Sequence, residues 1–408
     1  MKFLNTIRVE ELKNILEKIS TNVLEEELIP LEESYNRVLS RDIMSNIDVP
    51  HFRKARMDGY AVIAKDTFNA DEDKIITLEL IEIIDAGTIP KQKIKKGQCS
   101  YVATGAAIPD DADGVVMVEF TNKNNNKIHI SKAITPGTHL INIGADIQKD
   151  QIIYKKNQLI NLPTLGIFSS CGIHQIPVYK KITVSLISTG NEIVPISSKK
   201  LEIGKIYDVN SIMLKKAIEN IGIDVLFLGI VKDNFRDLEE VIYKGLENSD
   251  IVILSGGTSK GEGDLAPKVL EKFQNIEILI HGVKIKPGKP LIFAKLKEKI
   301  IFILPGYPTS ALSCFYIFID DFLRRISKLP LKKKSSKKLE IGERIYSSIG
   351  RHEFKPVKIE KQDGIERIFP IKTGSEAIST MFYADGYIEI EELESIVEKG
   401  DIRQFNTF

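Results

Sequence analysis

The segment Ser255-Gly-Gly-Thr258-Ser-Lys-Gly-Glu-Gly-Asp264 carries four glycines in ten residues. Glycine has no Cβ, so such a loop can bring backbone N–H groups close to an anion. The loop also leads into a predicted helix, whose N-terminus favours negative charge. It is not a P-loop, because no Gly-Lys-Ser/Thr closes it, and it lacks the G-x-G-x-x-G spacing of a dinucleotide fingerprint. A flexible turn with Asp264 as helix cap is the plain alternative. Lys286-Pro-Gly-Lys289-Pro290 fixes its backbone with two prolines and holds two cations near each other. Lysine meets phosphate or another oxyanion as a point charge. Pro305-Gly-Tyr-Pro-Thr-Ser310 sets Thr309 and Ser310 at a helix start, where capping and anion binding are compatible. The carboxylates Glu192, Asp208, Asp233 and Asp264 follow predicted strands or open predicted helices. Each alone is an ordinary cap or turn residue. Together, beside lysines and glycine loops, they point to a divalent cation and an anionic substrate, since Mg²⁺ takes one or two carboxylates and fills its shell with phosphate oxygens and water.

The elements that must carry these loops lie between residues 178 and 327. Apolar runs predict strands at Ile182–Ser188, Val225–Ile230, Ile251–Ser255, Leu291–Ala294 and Ile300–Leu304. Helical spacing predicts helices over 210–221, 235–248, 264–273 and 308–326. Apolar strands alternating with helices predict a parallel-rich sheet covered on both faces. In such a sheet ligands bind beyond the carboxyl ends of the strands; the Glu192, Ser255 and Pro305 loops follow such ends, whereas Lys286–Pro290 precedes the strand Leu291–Ala294.

The flanking regions differ in texture. Residues 7–25 predict an amphipathic helix through Ile7, Leu12, Ile15, Leu16 and Ile19, and LEESYNRVLSRDI predicts a second helical stretch. From about 45 to 143, short apolar runs broken by Gly, Pro, Asp and Asn predict a small β-rich domain, with NKNNNK at an exposed hairpin tip. Arg56-Met-Asp58-Gly-Tyr-Ala-Val, Thr104-Gly-Ala and Gly144-Ala-Asp146 read locally as turns. A short helix is predicted near 163–171. KKKSSKK at 332–338 reads as a solvated linker, and the last 70 or so residues alternate at period two, as a small barrel or sandwich does.

Composition narrows the class. The chain has 408 residues, 43% hydrophobic and 28% charged, ordinary for several globular domains. Fifty-seven Lys+Arg against 56 Asp+Glu leave a net charge of +1, which argues against a nucleic-acid binder. No apolar run approaches the roughly 18 residues of a membrane span, and the N-terminus does not read as a signal peptide. The three cysteines (Cys99, Cys171, Cys314) are far apart and read as buried thiols in a reducing cytoplasm. The six histidines lack metal-ligand spacing and no Ser/His/Asp triad is readable.

Taken together, the motifs resemble the molybdopterin molybdenumtransferases, the MoeA-type enzymes and the E domain of gephyrin. Arg-Met-Asp58-Gly-Tyr-Ala-Val, Thr104-Gly-Ala, Gly144-Ala-Asp146, Ser188-Thr-Gly-Asn-Glu192, Asp208-Val-Asn210-Ser211, Asp233, the Ser255–Asp264 loop, Lys286-Pro-Gly-Lys289-Pro290 and Leu304-Pro-Gly-Tyr-Pro-Thr-Ser310 occur in the family's order. They cover about residues 50–375. The resemblance implies a multidomain α/β fold. Its parts would be an N-terminal helical or linking domain (1–47 and 144–177), an inserted β-rich domain (48–143), a molybdopterin-binding α/β domain (178–327) and a C-terminal β-barrel (328–408).

It further implies a cytoplasmic homodimer with an active site shared between subunits, and a transient contact with the molybdopterin adenylyltransferase that supplies substrate. The implied reaction joins molybdate to adenylylated molybdopterin with release of AMP, assisted by Mg²⁺. By motif position Asp58, Glu192, Asp233 and Asp264 are the implied catalytic residues, with Glu192 and Asp264 on the metal. Thr104, Asp146, Ser255, Gly256, Gly257, Thr258, Lys286, Lys289, Pro290, Ser310 and Arg351 are implied to hold substrate. The third loop reads Pro-Gly-Tyr-Pro where Pro-Gly-Asn-Pro is the commoner form, which keeps a tungstate-inserting paralogue as an alternative. A non-catalytic molybdopterin-binding scaffold is the other. The adenylyltransferase itself is little more than the one α/β domain, so the rest of this chain argues against it.

Overall fold

A run of small and branched residues, Thr183–Thr189 (β1), opens the principal sheet and lies second from one of its edges. After it come helix Asn210–Glu219 (α1), strand Asp224–Val231 (β2), helix Phe235–Asn248 (α2) and strand Ile251–Ser255 (β3). Strands Ile276–His281 (β4), Ile292–Leu296 (β5) and Lys299–Leu304 (β6) complete a six-stranded sheet in the order β2-β1-β3-β6-β5-β4. The first four are parallel; β5 runs antiparallel to β6, and β4, antiparallel to β5, points the same way as the first four. No apolar run predicts β4. Its half-exposed, alternating burial suits an edge position instead. The computed structural model describes residues 6–19, 24–257, 265–332, 336–374 and 376–408.

Side-chain alternation splits the core into two layers. Leu186, Ile251, Ile253, Phe302 and Leu304 face one cluster with Leu214 and Ile218 of α1. Ile187, Val252, Leu254, Ile301 and Ile303 face the other with Leu238 and Ile242 of α2. Both faces are therefore covered, which is why β3 and β6 read as unbroken apolar runs. Helix α2 starts where the Asn234 side chain accepts from the Asp237 N–H at 2.9 Å, an N-cap that satisfies one of the orphan donors of the first turn. The segment 308–326 is one helical rod with a π turn at Phe315–Ile319 between α segments Pro308–Cys314 and Asp320–Ile326. Fully buried Phe302 meets Phe293 and Phe322 at ring distances of 5.1 and 5.6 Å, and burial of such a side chain is worth about 1.5–3 kcal/mol.

The chain divides into Leu28–Val178 and a second unit made of Met1–Glu27 with Tyr179–Phe408. The N-terminal helix, observed over Val9–Lys18, packs Val9, Leu12 and Leu16 into the α/β core. The segment expected with 144–177 is thus divided between the units. The second helical stretch expected from LEESYNRVLSRDI is only a 3₁₀ turn at Leu31–Glu33.

The C-terminal part of the same unit is a closed barrel. Strands Ser336–Ile341 (β7), His352–Gln362 (β8), Ile365–Pro370 (β9), Gly386–Ile390 (β10) and Ile402–Asn406 (β11) pair in the circuit β8-β9-β7-β11-β10-β8. Closure removes the exposed edges that a small sheet would otherwise present. The KKKSSKK segment is not wholly linker, because Lys337 and Lys338 pair with β11. Their exposed outward positions give a strand that reads as solvated chain. Ile285–Lys286 adds to the barrel beside His352 and Glu353.

In the other unit a six-stranded sheet runs Gly114–Met117, Gly59–Val62, Gln98–Val102, Ile76–Ile84, Lys127–Ile130 and Thr121–Asn124 in spatial order. The last two form the hairpin predicted at NKNNNK, with Asn124 opposite Lys127. Helix Leu162–Ser170 lies near its expected place, burying Phe168 against Leu39, Ile160 and Val178.

Candidate active site

The register of the principal sheet aligns Ser188 with Ser255 and Ser255 with Leu304. The loops after β1, β3 and β6 therefore leave one edge together. β2 follows β1 on one side, and the chain then returns to place β3 on the other. The crevice between β1 and β3 is the topological switch point of the sheet, where ligands of open α/β folds bind.

The loops are tied to each other by their own groups. The Thr189 hydroxyl donates to Asp233 Oδ1 at 2.5 Å, and the Asp233 N–H donates to Asn191 Oδ1 at 3.2 Å. The Gly256 N–H donates to the Leu304 carbonyl at 3.0 Å. Gly256 has φ +108°, and a Cβ there would stand 2.3 Å from the Thr189 carbonyl oxygen. Only glycine allows that approach. Asn210, the first residue of α1, donates from its amide to Ser255 Oγ at 2.8 Å and to the Gly306 carbonyl at 2.7 Å. Asp208 caps the same helix through the Ser211 N–H at 3.1 Å. Glu192 is exposed beyond β1, and Asp233 is half-buried. Thr258 and Asp264 lie outside the described residues.

A second group assembles beside the first. The Lys286–Pro290 loop closes through the Val283 N–H to the Lys289 carbonyl (2.9 Å) and the Leu291 N–H to the Gly288 carbonyl (3.1 Å). Gly288 sits so close over helix 308–314 that a Cβ would meet Cys314 Sγ at 2.5 Å, with the Ser310 carbonyl 3.8 Å away. The loop and the Ser310 turn are therefore neighbours. Cys314 is fully buried, and burial pushes its thiol up to about 12, so it packs and does not react. Arg351 is exposed at the turn before β8, one residue ahead of the His352–Ile285 pairing. Lys286, Lys289, Pro290, Ser310 and Arg351 thus lie in one neighbourhood. The structure adds Glu353, whose buried carboxylate receives Lys286 Nζ at 3.2 Å. Asn210 and Glu353 were both missed as functional candidates. Asn210 was visible only as part of the Asp208-Val-Asn210-Ser211 motif at a predicted helix start, and Glu353 only as an acid beside apolar residues.

The remaining expected residues belong to the other unit. Asp58 Oδ1 accepts the Thr104 N–H at 2.6 Å and the Thr104 hydroxyl at 2.8 Å. Those bonds, the backbone one first, hold the Asp58 carboxyl below the usual aspartate range. Asp58 therefore stays ionised to lower pH than a free aspartate, and any stabilisation from the pair is lost as pH falls through its lowered value. Thr104→Val keeps the N–H bond and removes the hydroxyl. We expect the Asp58 pKa, followed by carboxyl NMR, to move only part of the way back up. Asp146 is exposed, its N–H on the Val49 carbonyl at 3.0 Å.

Among the described residues no three His, Cys, Asp or Glu side chains cluster to hold a metal. An exposed carboxylate at Glu192 nevertheless fits Mg²⁺, which needs few protein ligands when phosphate is present.

Comparison with known proteins matches residues 7–172 to "MoeA N-terminal region (domain I and II)", residues 185–325 to "Probable molybdopterin binding domain" and residues 338–408 to "MoeA C-terminal region (domain IV)". A protein of Methanocaldococcus jannaschii named for molybdopterin biosynthesis is 34% identical over 404 residues, covering 96% of this chain and 95% of its own. A molybdopterin molybdenumtransferase of Haemophilus influenzae is 30% identical over 387 residues, covering 93% and 94%. The crystal structure of a molybdopterin biosynthesis MoeA protein from Pyrococcus horikoshii superposes with a TM-score of 0.85 at 34% identity, covering 99% of each chain. With three MoeA-type regions matched in order and relatives covered over nearly their whole length, the chain belongs to the MoeA family of molybdopterin molybdenumtransferases.

Proposed function

We propose that this chain acts in molybdenum cofactor biosynthesis as a molybdopterin molybdenumtransferase. It would join molybdate to adenylylated molybdopterin and release AMP. The observation that carries this reading is the convergence, in one unit, of the glycine-floored crevice with the Lys286–Pro290 loop and Ser310. Both substrates are anions, and the first place to hold a phosphate or pterin is the glycine turn that Gly256 ties to Leu304 and that continues through Gly257. Lys286, Lys289, Ser310 and Arg351 would hold the metal oxyanion, with Pro290 fixing the loop. Ser255 and Thr258 would line the nucleotide.

Glu192 and Asp264 would hold Mg²⁺, which offsets phosphate charge when bound. Asp233, oriented by Thr189, would place the oxygen nucleophile that opens the phosphoanhydride. Catalysis is then mainly positioning and electrostatics. Asp58 and Thr104 would be supplied by a second copy of the chain, in a homodimer whose shared site Asp146 supports. Substrate would be handed over by the adenylyltransferase in the cytoplasm. No described helix is long and apolar enough to cross a membrane.

The test is AMP release from adenylylated molybdopterin with Mg²⁺, titrating molybdate and tungstate separately. Molybdate-dependent AMP supports the reading. AMP with tungstate alone would reassign the oxyanion. No AMP from a folded protein that still binds the nucleotide would overturn it in favour of a binding scaffold.

A further inference from the structure

We propose that Glu353 is a positioning residue for Lys286, so that the C-terminal barrel sets where the oxyanion-binding ammonium stands. This rests on the assignment of Lys286 to the oxyanion. Glu353 is 3% exposed, on a barrel strand directly opposite Lys286 in register. Its Oε2 lies 3.2 Å from Lys286 Nζ and accepts the Ser347 hydroxyl at 2.7 Å, while Oε1 lies 3.4 Å from Lys355 Nζ. Lys286 Nζ also reaches Ser348 Oγ at 3.3 Å. A buried carboxylate is costly unless charges and hydrogen bonds meet it, and here both oxygens are met. Ser347 fixes the oxygen that fixes the lysine.

The strand itself does not depend on this pair. The His352 N–H donates to the Lys284 carbonyl at 2.9 Å, and Lys284 Nζ is 3.1 Å from Glu392 Oε1. Removing the Glu353 charge should therefore leave the backbone of the Lys286 strand seated while freeing the ammonium at its end. Glu353, Lys286 and Lys355 together carry one net positive charge, and neutralising Glu353 leaves two. Electrostatics then predicts undiminished affinity for the anion, while loss of aim predicts slower turnover. A purely structural role would weaken both.

The experiment compares Glu353→Gln, Lys286→Met and the double variant for AMP release, with molybdate as the varied substrate. For Glu353→Gln we expect kcat to fall about ten- to hundredfold, in line with the loss of a charge-assisted hydrogen bond, with a molybdate KM unchanged or lower. The double variant should be no slower than Lys286→Met, because Glu353 acts through Lys286. Additive losses, or a raised molybdate KM with kcat intact, would overturn the proposal. Should Glu353→Gln not fold, Ser347→Ala tests the same oxygen with the charge retained. We expect it to lower kcat with KM unchanged, and no change in kcat would overturn the proposal. If Lys286→Met turns over normally, the oxyanion assignment itself fails, which is a separate result from a Glu353 variant with normal kcat beside an impaired Lys286→Met.

Discussion

Gly256→Ala is expected to abolish turnover while leaving most of the chain folded. The φ of +108° strains any L side chain, and the added methyl would stand 2.3 Å from the Thr189 carbonyl oxygen, a backbone atom that cannot swing aside. The strain of such a conformation is about 1–3 kcal/mol, and forcing an extra methyl into packed surroundings adds about 1–3 kcal/mol. Either the loop lifts or the end of β1 shifts. Both movements displace the glycine turn proposed for the phosphate, and a 1 Å misplacement can cost roughly 10²-fold in rate. Gly222→Ala is the control. Its φ is +96°, but nothing lies within 4 Å of the new Cβ. That variant should lose about 1–2 kcal/mol of stability and keep its turnover. Denaturant unfolding followed beside AMP release separates the two effects. Equal activity in both variants would mean that the Gly256 turn does not hold substrate.

The contrast between these glycines shows what a sequence can and cannot disclose. The Ser255–Asp264 segment stood out as a candidate anion loop because its glycines are crowded. That Gly256 in particular touches Thr189 follows from register between β1 and β3, which is a property of pairing. The parallel strands β1, β3 and β6 were legible because burial on both faces leaves uninterrupted apolar runs, and β2, although a part-exposed edge strand, carries an apolar run of its own. Strand β4 was not legible, since an edge strand needs only one buried face. β7 escaped for a related reason, since it opens on Ser336, Lys337 and Lys338, all exposed. Among the candidate residues, the lysine loop and Ser310 stood out through composition and position. Glu353 could not, because a single Glu between His352 and Phe354 carries no chemistry until the barrel brings it opposite Lys286. Asp58 and Thr104 read as turn residues. Their mutual hydrogen bonds join positions 46 apart in the chain, which no local pattern encodes.

Asn210 makes the same point with a sharper test, because its two amide hydrogens join two loops that share no sequence neighbourhood. One goes to Ser255 Oγ and the other to the Gly306 carbonyl. The carbonyl can only accept, so the amide must present nitrogen there, and its orientation is fixed. Asn210→Ala removes both bonds and strands the Gly306 carbonyl beside the crevice. The expected loss is about 2–6 kcal/mol, summing two groups at roughly 1–3 kcal/mol each when a buried partner is left unmet. Turnover should fall about 10²-fold as the Ser255 and Gly306 turns part. Asn210→Asp should be worse than Asn210→Ala near neutral pH, because it places a buried carboxylate against a carbonyl oxygen. Burial and that oxygen both favour the neutral acid, so the folded-state pKa of the introduced aspartate lies above its unfolded value. The sign follows. Its protonated form can donate to Gly306, so stability relative to Asn210→Ala is gained below the unfolded pKa and lost as pH rises through the folded one. Thermal unfolding of both variants across roughly pH 4–8, the span over which a raised carboxyl pKa titrates, checks the order. If the aspartate variant tracked the alanine variant at every pH, the amide would be a simple helix cap, and the link between the two loops would have to be carried by Gly256 and Leu304 alone.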